Sequence, residues 1–282
     1  MSHRLDLTFE TPEPIELYVE NGRGTVTVTA TGTTRTTVRI TGERAEDYDV
    51  RDLADGHGPH RIAILAPRRE GGFFGRDPRA EIVVEVPVAS SLTAKVGSSD
   101  VTTHGRLSDT HVESGSGDVS LDVVDGSTVI QSGSGDLLAE HLAGDARIKS
   151  GSGDIRVHRA DSDLLVTTGS GDVRVGSARG ELAIKTGSGD ALVRSLAGEV
   201  VYTTGSGDLV IDEAASGRVS AKTASGDVRI GVPAGTPVWT DVTTSSGRLT
   251  SSLTGAGEPT PDQPFLEVRA TTASGDVTLH QS

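Results

Sequence analysis

A short turn of the form Ser/Thr-Gly-Ser-Gly-Asp recurs at a fixed interval, and this interval restricts the fold more than any other feature of the chain. Successive aspartates are 18 residues apart, at Asp100, Asp118, Asp136, Asp154, Asp172, Asp190 and Asp208. Later copies follow at Asp227 and Asp276. A period far shorter than a domain is typical of a solenoid, because one such repeat cannot bury a core without its neighbours.

Each repeat has the pattern of two short strands. Apolar residues alternate with polar ones directly after the aspartate, as at Ile155 and Val157, and again in the second half, as at Leu164 and Val166. Alternation of this kind indicates a strand with one buried face. We therefore predict an all-β chain that forms a parallel β-solenoid with two short strands per 18-residue coil.

The repeat does not extend over the whole chain, and this predicts a division into two parts. Residues 1–95 lack the repeat but keep the strand-like alternation, so we interpret them as an irregular β-rich N-terminal cap. Residues 96–282 form the repeat region. Two stretches rich in Gly and Pro are interpreted as a projecting loop at Pro67–Pro78 and an insertion near 253–264.

Composition excludes several classes of function. The net charge of −14 argues against a nucleic-acid partner, because phosphate contacts need clustered Lys and Arg. The absence of cysteine excludes a disulfide framework and a thiol nucleophile, and no cofactor is predicted. No apolar segment resembles a membrane span or a signal peptide, so we expect a cytoplasmic protein. Association with a membrane through a partner is the alternative.

The glycine before each aspartate is predicted to be a structural turn residue. We expect it to adopt a positive φ, which favours glycine. These glycines are Gly117, Gly135, Gly153, Gly171, Gly189 and Gly207. The Ser or Thr that opens each turn is expected to bond backbone groups that the turn leaves unpaired.

Stacked coils bring the aspartates together. Neighbouring strands lie about 4.8 Å apart, where two carboxylates repel by roughly 1 kcal/mol in water. One explanation is that each carboxylate accepts hydrogen bonds from turn amides or serines. The alternative is a row of Ca²⁺ ions on Asp118, Asp136, Asp154, Asp172, Asp190 and Asp208. The first is favoured, because calcium-binding β-rolls repeat Gly-Gly-x-Gly-x-Asp about every nine residues.

The repeated Ser/Thr-Gly-Ser-Gly-Asp corner and the closing Thr-Ala-Ser-Gly-Asp-Val at Thr272–Val277 resemble a bacterial β-strand-repeat family. This is the family called "putative adhesin" or Toastrack, and the resemblance runs from about Gly97 to the C-terminus. It implies a β-solenoid without known catalysis and a link with bacterial envelope-stress systems. It supplies no catalytic residues.

These observations favour a non-catalytic interaction scaffold whose flat faces bind a protein or an envelope-associated partner. Leu138 and Leu165 are apolar at positions predicted to point outward, and they are the candidate contact surface. A Ca²⁺-stabilised structural rod is one alternative. A polysaccharide-acting β-helix enzyme is another, although such enzymes need sugar-stacking aromatics and Trp239 is the only tryptophan.

Overall fold

The computed structural model describes residues 3–53, 59–67, 77–254 and 263–282. The chain divides into two compact units, Met1–His141 and Leu142–Ser282, and each is described by itself. Most of the loop predicted at Pro67–Pro78, and of the insertion predicted near 253–264, lies outside the described residues. One turn of 3₁₀-helix, Ala45–Asp47, is the only helix within the described ranges.

Strands make up nearly all the regular structure that is described. In chain order they are β1 His3–Glu10, β2 Glu16–Thr31, β3 Arg35–Gly42, β4 Asp49–Asp52, β5 Arg61–Leu65, β6 Arg79–Pro87, β7 Ser91–His104, β8 Arg106–Leu107, β9 Thr110–Ser114, β10 Val119–Val124, β11 Thr128–Ser132, β12 Leu137–Leu142, β13 Ala146–Ser150, β14 Ile155–Ala160, β15 Leu164–Thr168, β16 Val173–Ala178, β17 Glu181–Thr186, β18 Ala191–Leu196, β19 Glu199–Thr203, β20 Leu209–Ala214, β21 Gly217–Thr223, β22 Val228–Val232, β23 Val238–Thr244, β24 Leu249–Ser251, β25 Leu266–Thr272 and β26 Val277–Gln281.

The first unit is built around the long strand β2. Strands β5, β6 and β7 all pair with β2 in parallel. The pairs β1–β3, β3–β6 and β4–β5 are antiparallel, so the N-terminal region does not follow the repeating geometry. Strand β7 continues without a break through residues 95 and 96, and the division of the chain at that point stays a prediction.

The coils of the second unit confirm the predicted parallel β-solenoid. Ile155, Val157, Leu164 and Val166 point inward and are fully buried. The register pairs Ile155 with Val173, and the same column continues through the later coils. Because equivalent apolar residues lie on top of one another, each coil buries the inward side chains of the next.

One inward column was not predicted by alternation. The first strand of each coil bends near its fourth residue, where His158 and Arg159 are exposed in succession. The register skips this position, since Val157 pairs with Val175 and Arg159 with Ser177. The bend turns the last residue of the strand back into the core. The column consists of Ala160, Ala178, Leu196 and Ala214, all buried.

The final coils are not stacked in chain order. Strand β25 pairs with β21 on one side and β23 on the other, and β26 likewise lies between β22 and β24. The last segment of the chain is therefore inserted beneath the coil that precedes it. Side-chain polarity agrees with this order, because β25 and β26 bury Leu266, Val268 and Leu279, whereas the inward row of β23 contains the polar Thr240 between Val238 and Val242. A polar coil is suited to the solvent-exposed end of a solenoid.

Candidate functional site

The corner that joins successive coils is closed by its own hydroxyl. In the second unit Thr186 Oγ1 accepts the N–H of Gly189 at 2.9 Å, and Thr223 Oγ1 accepts the N–H of Gly226 at 2.8 Å. In the first unit Ser114 Oγ instead donates to the carbonyl of Gly117 at 2.8 Å. The Ser or Thr thus satisfies backbone groups of the turn, as predicted.

The aspartates form a continuous hydrogen-bonded ladder within each unit. Asp190 Oδ1 accepts the N–H of Asp208 at 2.8 Å, and the N–H of Asp190 donates to Asp172 Oδ1 at 3.1 Å. In the first unit Asp118 Oδ1 accepts the N–H of Asp136 at 2.9 Å. Each carboxylate therefore bonds the amide of the next coil, which offsets the repulsion between stacked charges. The backbone explanation of the aspartates agrees with this geometry.

Arginines reinforce part of the ladder. Asp154 Oδ2 lies 3.3 Å from both Arg156 Nη2 and Arg174 Nη1, and Arg174 also contacts Asp172 at 3.0 Å. Beside them a cleft of about 450 Å³ opens at Gly176, between His158 and Arg194. Arg156 and Arg174, which line this cleft, are both paired with ladder aspartates. Among the described residues, no group of three or more His, Asp or Glu is arranged to hold a metal ion.

The prediction of a positive φ at the corner glycines is wrong. Among the described glycines, positive φ values occur at Gly24, Gly42, Gly105, Gly217 and Gly235, none of which is the glycine before a ladder aspartate. Close approach of the backbones requires glycine at the corner instead. A Cβ on the corner glycine would overlap a carbonyl oxygen of the preceding coil; examples are Gly117 against Ser99, Gly135 against Gly117, Gly171 against Gly153, Gly189 against Gly171, and Gly207 against Gly189.

The two leucines predicted as a contact surface point outward and are half-buried. Leu138 lies on β12 and Leu165 on β15. The register continues the row of Leu165 through Ala183 to Val201, and all three side chains are half-buried. This apolar row, Leu165–Ala183–Val201, crosses three neighbouring strands of the second unit.

Three large apolar side chains in the last coils are more exposed and were not predicted. Trp239, Leu249 and Phe265 are each about half exposed, at 48%, 48% and 47%. The guanidinium of Arg269 lies 5.5 Å from the centre of the Trp239 ring, a cation–π contact. The polar residues at inward positions of β23 and β24 could have predicted from the sequence that this coil ends the stack.

The family of the chain follows from the repeat and from the family comparison. The family model described as Toastrack DUF4097 matches residues 14–280. The chain belongs to the Toastrack DUF4097 family. The match begins well before Gly97, so the N-terminal region belongs to the family's domain as well.

The solved structures to which this Toastrack chain is similar have low sequence identity to it. A "putative adhesin" from Parabacteroides merdae is 13% identical with a TM-score of 0.48, covering 99% of this chain and 95% of its own. A "putative lipid binding protein" from Parabacteroides distasonis is 15% identical with a TM-score of 0.47, covering 98% and 96%. A "putative adhesin" from Bacteroides fragilis is 12% identical with a TM-score of 0.41, covering 98% and 97%. A comparison with curated proteins gives no match.

Proposed function

We propose that this chain is a non-catalytic, adhesin-like scaffold that binds another protein or an envelope-associated partner through a solenoid face. The apolar row Leu165–Ala183–Val201 carries the proposal, because it lies outward on a regular surface where polar residues would be expected. Affinity at such a surface comes from a few apolar anchors within a polar surround. A link with bacterial envelope stress belongs to the same proposal.

The repeating geometry favours binding over catalysis. A catalytic site needs a concave pocket in which acids or bases of different environment converge. Here successive coils present the same corner, and their aspartates are engaged by backbone amides. A polysaccharide-acting site is disfavoured, because the single tryptophan, Trp239, stacks on Arg269.

Location is part of the proposal. We expect the protein to act in the cytoplasm, with contact to a membrane through its partner as the alternative. No helix in the described ranges is long and apolar enough to span a bilayer.

The test is capture of partners from the native cell by purified protein carrying Leu165→Lys or Leu138→Lys. A charge at an apolar anchor should reduce capture of a specific partner at least tenfold while leaving circular dichroism unchanged. Ser220→Lys is the matched control, because Ser220 is the register neighbour of Val201 in the same outward row. Equal capture by all three variants would refute the apolar contact surface.

Turnover is tested separately. The purified protein is screened against glycans and esters, and no hydrolysis is expected. Activity that co-purifies with the folded chain and disappears on thermal unfolding would refute the scaffold proposal.

A further inference from the structure

A row of lysines crosses the outward face formed by the second strands of the coils in the second unit. The register places Lys149, Thr167, Lys185, Thr203, Lys222 and Thr271 side by side in that order. The three lysines are exposed. The chain has four lysines, so three of them lie in this single row and alternate with threonine. We call it the lysine row.

The charge of the lysine row is not neutralised within the described part of the chain. No ion pair or hydrogen bond engages the side chains of Lys149, Lys185 or Lys222 there. Two carboxylates on the same face are instead occupied by an arginine. Arg218 lies 2.9 Å from Glu267 and 3.6 Å from Glu199. The row is therefore a line of available cations on a protein whose net charge is −14.

The spacing of the lysine row fits one kind of extended chain. Neighbouring strands lie about 4.8 Å apart, so lysines on every second strand are about 9.6 Å apart. A polyproline II helix advances about 3.1 Å per residue with three residues per turn, and therefore repeats about every 9.3 Å. Acidic residues at every third position of such a helix lie on one side of it. Their carboxylates match the lysines along the row.

The surroundings of the lysine row suit the rest of such a ligand. Thr167 and Thr203 place hydroxyl groups between the lysines, where they can donate to peptide carbonyls. The apolar row Leu165–Ala183–Val201 lies two residues along the strands from the lysine row, on the same face. Proline rings can pack against that apolar row.

We propose that this face binds an extended acidic segment of a partner protein, in polyproline II conformation, with an aspartate or glutamate at every third residue. The inference rests on the proposed function, since it names the chemistry of a partner for the same face. The lysines give the register and electrostatic attraction, and the apolar row gives contact area.

The experiment measures binding of a synthetic peptide with about five Glu-Pro-Pro repeats, which forms polyproline II, to the full chain by fluorescence anisotropy. Each of Lys149→Gln, Lys185→Gln and Lys222→Gln should weaken binding about twofold to fivefold, as expected for exposed ion pairs. The triple variant should weaken it at least tenfold. Added salt should weaken binding of the wild type more than that of the triple variant.

Two controls make the result specific. Lys95→Gln removes the fourth lysine, which lies 3.4 Å from Glu113 in the first unit, and should not affect binding. In a peptide of equal charge with a glutamate at every fourth residue, the glutamates no longer match the spacing of the lysine row. This peptide should bind several-fold more weakly. Equal binding of the two peptides, or of the triple variant and the wild type, would overturn the proposal.

Other anions distinguish the nature of the partner. Inorganic polyphosphate, or vesicles rich in phosphatidylglycerol, should bind more weakly than the matched peptide. If either binds as tightly and with the same dependence on the three lysines, the row is a general anion surface and the peptide assignment is wrong. If the peptide fails to bind while Leu165→Lys still abolishes capture of a native partner, the lysine assignment fails and the proposed function stands.

Discussion

Replacing Asp190 by alanine, and separately by asparagine, distinguishes the two explanations of the aspartate ladder. Asp190 Oδ1 accepts the N–H of Asp208 at 2.8 Å. In Asp190→Ala that amide loses its acceptor. A hydrogen bond to a charged group contributes about 1.5–3 kcal/mol, and the corner is exposed, so water recovers part of the loss. Loss of the charge also relieves repulsion from the neighbouring carboxylates, so we expect the free energy of unfolding to fall by about 1 kcal/mol.

Asparagine keeps an oxygen in the same place but removes the charge. The bond to Asp208 becomes neutral, which weakens it by about 1 kcal/mol. Repulsion from the carboxylates of Asp172 and Asp208 is removed at the same time, which returns roughly 1 kcal/mol for each neighbour in water. The two effects nearly cancel after screening by salt. We therefore expect Asp190→Asn to unfold within about 0.5 kcal/mol of the wild type.

Thermal unfolding followed by circular dichroism measures the difference. One kcal/mol corresponds to about 2–4 °C in a chain of somewhat smaller size, so Asp190→Ala should lower Tm by about 2–4 °C and Asp190→Asn by less than about 2 °C. Ser188→Ala, in the same exposed corner, is the control and should leave Tm unchanged.

Binding of Ca²⁺ by the aspartates would contradict the backbone explanation. If the ladder held cations, asparagine would be as damaging as alanine, since loss of charge weakens Ca²⁺ ligation. Equal destabilisation by both variants of Asp190, together with a chelator-induced fall in the wild-type Tm that millimolar Ca²⁺ reverses, would refute the backbone explanation.

Three further predictions follow from burial and close contact. Ile155→Asp places a charge in a fully buried column and should lower the free energy of unfolding by more than about 4 kcal/mol. Arg156→Asp faces outward and should lower it by about 1–2 kcal/mol, so similar Tm values for the two variants would contradict the register. Gly207→Ala should destabilise by more than about 2 kcal/mol because its Cβ overlaps the preceding coil, whereas Gly32→Ala, with open space around it, should be neutral. Desolvation raises the pKa of all three tyrosines to about 12, so ionisation of the tyrosines should lower stability as pH rises from about 10 towards 12. Tyrosinate absorbance appearing near pH 10 in the folded protein would disprove this.

The period of the repeat was sufficient to predict the fold of the coils. A column such as Leu164, Leu182 and Val200 is readable because inward residues recur at one offset, and all three are buried. The column of Ala160 and Leu196 was equally periodic, but two consecutive exposed residues precede it. Alternation assumes a straight strand and therefore fails where the strand bends.

The reason for the corner glycines could not be read from local sequence. Glycine commonly signals a positive φ, and the turn composition supports that interpretation. The actual constraint is a contact between coils, in which Gly189 leaves room for the carbonyl of Gly171. A non-local contact of this kind requires the stacking distance and the orientation of the corner, which no single repeat contains.

The order of the last coils could not be predicted from the sequence for a related reason. The chain places β23 before β25, and sequence alone suggests that they stack in that order. In the structure Asp276 bonds to Asp227 Oδ1, and Arg248 then bonds to Asp276 Oδ1, so the ladder ends on an arginine. Arginine cannot accept an amide from another coil. The residue that breaks the motif is thus the residue that ends the stack.

The residues that stabilise the coils and the residues proposed to bind a partner lie at different positions of each repeat. The inward columns, the corner hydroxyls and the aspartate bonds involve inward or corner positions, so they leave the outward positions of each strand free to vary. On that background Lys149, Lys185 and Lys222 recur on alternate coils, whereas the positions between them are threonine. Stability does not require this alternation, because the outward side chains do not contact the core. An outward pattern with its own period, twice that of the fold, is therefore better explained by a ligand that contacts every second coil than by the needs of folding.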